Sequence, residues 1–153
     1  MTGRASDHLY TLHRNPFALA PVIQNFYLEW TPMEKDVLLS YLILPLVTYP
    51  AMKSYLNNAG RNSSIRTMTS DASRLVGLPL RLEEYKQITN TSLLILRADR
   101  SMSLAEDLSV IAEDNPQAAN ADKDMLRYAK KLAMIFRNES VVTIYRMLGL
   151  KSL

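Results

Sequence analysis

His8 and His13 stand five residues apart near the start of the chain, and three carboxylate pairs come after them, Glu83-Glu84, Glu106-Asp107 and Glu113-Asp114. Groups of these types serve as general acids and bases, or hold a divalent metal, when they converge on one point. Their spacing works against convergence. Residues five apart do not share a helix face, and neighbours in sequence point in different directions on helix and strand alike. The histidines therefore read as exposed and the carboxylates as solvated. No glycine lies in a G-x-G or phosphate-loop pattern, and no serine lies in S-x-x-K or G-x-S-x-G. The absence of cysteine excludes a thiolate metal site, a disulfide and a cysteine nucleophile. These features predict a protein with no catalytic residue, no metal and no cofactor of its own, any catalysis belonging to a partner.

A second group of residues suits binding. Lys123, Arg127, Lys130, Lys131 and Arg137 fall near one another on a helical pattern, and Arg127, Lys130 and Lys131 form a candidate basic face toward DNA or an acidic protein. Aromatic residues make up 8% of the chain and do not alternate with these bases, which argues against a platform for stacking single-stranded bases. The charge is segregated although its net value is only +3. Residues 61–100 carry seven bases against four acids, 101–122 five acids and no base, and 123–153 seven bases against two acids. Such segregation favours charged partners, and solvated helix faces are the other reading of the same pattern. Phe17, Tyr27 and Trp30 are candidates for a partner interface, because interface cores favour aromatics and exclude charge; filling the chain's own core is the competing role for each.

The elements that must position these residues are mostly helical. Asn15-Pro16 has the form of a helix start, with asparagine as cap and proline at the first position. Pro21 deletes a hydrogen bond five residues later, which predicts either a kink or a short turn followed by a helix from Pro21 to Trp30. Val22, Ile23, Phe26, Tyr27 and Trp30 make a wide apolar stripe there. Thr31-Pro32-Met33-Glu34 reads as a capping box opening a helix from Pro32 to about Leu44. Pro45 and Pro50 interrupt the next stretch, residues 51–60 read as a short helix, and 60–66 as a polar loop. A short helix from a Thr69 or Ser70 cap to a stop at Gly77 comes next, then a longer one over 80–98. Over 101–114, Met102, Leu104, Leu108 and Val110 alternate as in a two-stranded hairpin, while Ser103-x-x-Glu106 also has capping-box form; the hairpin is the preferred reading. Residues 114–122 form a linker loop. The 121–138 segment is an amphipathic helix with Met125, Ala129, Leu132 and Phe136 in one stripe, and "SVVTIYRMLGL" is a last helix with Gly149 as C-cap.

With 153 residues, 48% hydrophobic and 22% charged, the chain fits one globular domain, 1–153, with 1–14 as a flexible N-terminal segment. The expected fold class is mainly α: a single multi-helical domain with a small β-hairpin, for which a winged-helix-like arrangement is one candidate form. The longest apolar run, Tyr41–Val47, is far shorter than the ~20 residues that span a bilayer, and the first fourteen residues lack the apolar core of a signal peptide. The expected location is cytoplasmic with no membrane partner, and the sequons at Asn62, Asn90 and Asn138 then carry no glycan.

Four stretches together resemble the middle components of bacterial three-component ABC-ATPase (ABC-3C) defence systems, with the Lamassu type as the comparison. They are "NPFALAPVIQNFYLEW", the proline-broken "LILPLVTYP", the basic penultimate helix and the closing "SVVTIYRMLGL". Proteins of those families open with an N-P motif leading into an aromatic-rich helix and end with a helix running into an L-G pair, here Leu148-Gly149. The resemblance implies a non-catalytic adaptor bound near the heads of an SMC-like ATPase that detects foreign DNA. It would help hold a nuclease-type effector inactive until DNA is sensed, with DNA reached through the complex. Pro21, inside the opening helix, is the departure from that pattern. The alternative is a stand-alone winged-helix-like DNA-binding regulator, with the helix before the hairpin in the major groove.

Overall fold

Helix α1 (Pro16–Glu29) starts at the predicted cap: the Asn15 side chain accepts the Phe17 N–H at 3.0 Å, and Pro16 occupies a position that needs no donor. The structure, a computed structural model, describes residues 14–114 and 121–151. The expectations for His8, His13, the segment before residue 14 and most of the 114–122 loop fall outside the described residues. Helix α1 runs through Pro21 without the predicted turn. The missing proline N–H would have bonded the Phe17 carbonyl, in the first and solvent-facing turn, so only one bond is lost. The turns on either side keep burying Leu19, Ala20, Val22 and Ile23.

The largest departure from the sequence reading lies between residues 31 and 44. No helix starts at Thr31. The chain instead turns through Lys35, in the left-handed region at φ 64°, into a single 3₁₀ turn over Asp36–Leu39, and only then into α2 (Ser40–Val47), which continues past Pro45. Asp36 explains the change. Its fully buried carboxylate accepts the Met33 N–H at 2.9 Å and the Trp30 indole N–H at 3.1 Å on one oxygen, and the Val110 N–H at 2.7 Å on the other. The backbone carbonyl of Asp36 accepts the Tyr27 hydroxyl at 2.7 Å, and that hydroxyl also pairs with Ser40 Oγ at 2.7 Å. A helix from Pro32 would leave these buried donors without partners, which costs more than a capping box returns.

Beyond α2 the chain forms α3 (Pro50–Asn58) and then α4 (Ile65–Thr69), which extends into the predicted polar loop because Ser64 and Thr67 exchange side-chain and backbone hydrogen bonds. The predicted helix from Thr69 or Ser70 is a 3₁₀ turn over Ala72–Leu75, capped by Asp71. Gly77, at φ 72°, leads into α5 (Leu78–Ala98), the longest helix. Arg81 fastens it to α2: its Nε donates to the Pro45 carbonyl at 3.2 Å and its guanidinium lies 3.7 Å over the Tyr49 ring.

The predicted hairpin comes next as β1 (Met102–Leu104) and β2 (Val110–Ala112), antiparallel with Ser103 opposite Ile111. Helix α6 (Lys123–Phe136) is capped by Asp122 and α7 (Val141–Met147) by Ser140. The last helix ends as expected at Gly149, φ 78°, with the Gly149 N–H on the Arg146 carbonyl and the Leu150 N–H on the Tyr145 carbonyl, the paired bonds of a Schellman motif. The fold is mainly α with a two-stranded sheet, as the sequence predicts. Helix α1 packs against α5, α6 and α2, and Phe26 sits at the middle of the core, 5.7 Å from Trp30 in a stacked pair and edge-on to Tyr27 and Phe136.

Replacement Asp36→Ala should destabilise the domain by about 3 kcal/mol, because three buried N–H donors lose their acceptor, and urea denaturation measures it. Burial raises the Asp36 carboxyl above the ordinary carboxylate value, against the opposing pull of the Met33, Val110 and Trp30 donors. The folded state therefore binds the proton more tightly than the unfolded chain. The stability this group contributes is complete below its unfolded pKa and declines as pH rises through its folded one. The stability difference between wild type and Asp36→Asn should accordingly shrink as pH rises through that window; a difference that grows with pH would contradict the assignment.

Candidate functional site

The basic residues of α6 are placed by its amphipathic pattern. Met125, Ala129, Leu132 and Phe136 enter the core, and Arg127, Tyr128 and Lys131 lie along the edge that meets the C-terminal end of α3. The last carbonyls of a helix have no intrahelical donor and carry the negative end of its dipole. Lys131 Nζ donates to the Leu56 carbonyl at 2.8 Å and the Asn57 carbonyl at 3.2 Å. Arg127 Nη2 and the Tyr128 hydroxyl each donate to Asn57 Oδ1 at 2.9 Å, and Arg127 also faces Asp124 at 3.3 Å. Arg137 reaches the Arg61 carbonyl at 3.0 Å. Two of the three predicted basic-face residues, Arg127 and Lys131, thus clamp α3 to α6, while Lys130, off that edge, is exposed.

The predicted aromatic trio divides in the same way. Phe17 is 71% exposed on the first turn of α1. Tyr27 and Trp30 are 4% and 5% exposed, and their polar atoms are committed to Asp36 and Ser40. Burial pushes the Tyr27 hydroxyl well above its ordinary pKa, which keeps it a donor. Trp30 still borders a surface depression of about 290 Å³ with Pro32, Met33 and Arg137.

The carboxylate pairs do not converge. Glu83 and Glu84 are exposed on α5, and Glu113 and Asp114 are exposed after β2. Asp107 braces the hairpin loop: its Oδ1 accepts the Ser109 hydroxyl at 2.7 Å and the Ser109 N–H at 3.0 Å, which hold its carboxyl below the usual range. Among the described residues, no group of three or more histidines, cysteines or acids is placed to hold a metal ion. No single helix among them is long and apolar enough to cross a membrane.

Exposed apolar side chains were the feature that sequence reasoning missed. Leu94 is 65% exposed on α5 and Val142 64% exposed on α7. The signal is present in the sequence: the run Leu93-Leu94-Ile95-Leu96 occupies four consecutive helical positions, which sweep most of the circumference and must turn at least one leucine away from the core.

The domain thus has exposed apolar and basic side chains, and most of its buried polar groups are spent on internal bonds, Arg81 Nη2 and Thr89 Oγ1 being exceptions. The chain belongs to the ABC-three component (ABC-3C) system Middle Component 3 family, whose model matches residues 4–152. Membership of a multi-component system implies protein partners. No curated protein and no solved structure matches the chain.

The clamp makes a testable distinction among the bases. Lys131→Ala should cost about 1 kcal/mol of stability, because two helix-end carbonyls lose their donor, whereas Lys130→Ala should leave the thermal midpoint unchanged.

Proposed function

We propose that this protein is a non-catalytic accessory subunit of a Lamassu-type antiphage complex. In this reading it bridges the heads of an SMC-like ATPase and a nuclease-type effector, and helps couple DNA sensing to effector activation in the cytoplasm. The observation that carries the reading is the family match across nearly the whole chain. The distribution of its side chains supports it. Phe17 and Lys130 are free for partners, the first as an aromatic anchor and the second as a charge toward DNA or an acidic protein surface. Arg127 adds to that charge while it holds Asn57. Lys131, bound to two carbonyls, contributes mainly through its field.

Co-expression of the three components, followed by affinity purification through the ATPase, tests the proposal. The effector should be recovered with the ATPase when this chain is present and lost when it is omitted, and phage protection should be lost with it. Lys130→Glu and Phe17→Ala should weaken recovery without altering the fold. An ATPase–effector complex that assembles and protects equally well without this chain would contradict the bridging role.

A further inference from the structure

Three adjoining depressions that share lining residues make up an apolar channel along the surface. The first, about 590 Å³, is bounded by α7 and the residues after it; the second, about 320 Å³, and the third, about 330 Å³, run along α5. Leu38 and Leu150 line both the first and the second, and Tyr41 lines both the second and the third, so each depression adjoins the next. Along α5 the channel extends from Pro79 to Arg97, a length of roughly 27 Å at the helical rise per residue. Leu94 and Val142, two of the most exposed apolar side chains, stand at its two ends.

The rim is mostly basic. Lys86, Arg97, Arg146 and Lys151 border the channel, against the single acid Glu83. Its walls are mostly helical and the short β1 borders only the third depression, so over most of its length an occupant has no strand to pair with and has to arrive with its own backbone satisfied. An apolar floor, a basic rim and a length of several helical turns specify the occupant.

We propose that this channel receives an amphipathic helix from another component of the complex, with apolar residues at i, i+3 or i+4, and i+7 on the buried stripe and acidic residues beside it. The chain's own segments fit less well. Residues 1–13 carry a single acid, Asp7, and the acids of 101–114 lie on the hairpin and its loop. This inference rests on the accessory-subunit reading and names the contact by which the subunit would be held.

The test places a photo-crosslinking amino acid at position 94, at position 142, or at the exposed Ile111 on the hairpin, in the full chain co-expressed with the other two components. Positions 94 and 142 should both capture one segment of another component, its apolar residues at helical spacing and its flanks acidic. The double variant Lys86→Glu and Arg146→Glu should lower the yield about tenfold, as expected when charges along an interface are reversed. Capture of a second copy of this chain, or of its own residues 1–13, would overturn the proposal in favour of self-association or an internal contact. If the complex assembles but only position 111 cross-links, the channel is not the docking site and the accessory reading stands. If no complex assembles around the wild-type chain, the accessory reading fails and the channel proposal fails with it.

Discussion

The buried carboxylate of Asp36 is the constraint on which the remaining structure depends. It joins the end of α1, through Trp30, and the turn after it, through Met33, to the distant hairpin, through Val110. A carboxylate removed from water is costly unless its lone pairs are occupied, and here three N–H donors occupy them. The same donors would be stranded without it. The arrangement therefore fixes the register of β2 against α1 and forces the chain to turn before α2. The adjoining bonds from Lys35 N–H to the Asp107 carbonyl and from Val37 N–H to the Leu108 carbonyl extend that junction into the hairpin loop.

A second, weaker constraint acts between α3 and α6. There the bases of α6 complete the end of α3, so that charges which look free in the sequence are partly absorbed by the fold. Between the two junctions the core is ordinary close-packed hydrocarbon around Phe26. The polar chemistry is thus directed inward, and the domain presents outward its apolar side chains and a modest excess of positive charge. That balance suits a subunit held by protein contacts better than one that recognises DNA alone, which needs a dense array of phosphate-facing bases.

Local signals in the sequence were legible wherever a single turn of chain decided the outcome. The Asn15 cap, the Gly149 stop, the stripe of α6 and the alternation of the hairpin all depend on residues within a few positions of one another. Thr31–Glu34 shows where such reading stops. Its capping pattern is genuine, but the Asp36 bonds that overrule it include one from Val110, seventy-four positions away, which no periodicity reports. Helix α2 continues past Pro45, which reads as an interruption, and α1 passes Pro21 without the alternative turn, since each proline removes one bond while the flanking turns bury several side chains. The aromatics near the start were legible as a group and not individually: the helical stripe predicted a buried face, and only the packing separates exposed Phe17 from buried Tyr27 and Trp30. The channel was not legible because it is assembled from α2, α5, α7 and β1, although the consecutive apolar residues of α5 announced an unburied leucine.

We propose that a domain locked internally by Asp36 offers an outer face, along α5 and α7, to another component of the system. Hydrogen exchange of the full chain, free and within the assembled three-component complex, tests this most directly. The Met33 and Val110 amides should exchange slowly in both states, and new protection on assembly should concentrate in residues 78–98 and 141–151. Rapid exchange at Met33 and Val110 in the free chain, or new protection confined to the hairpin and the start of α1, would contradict it.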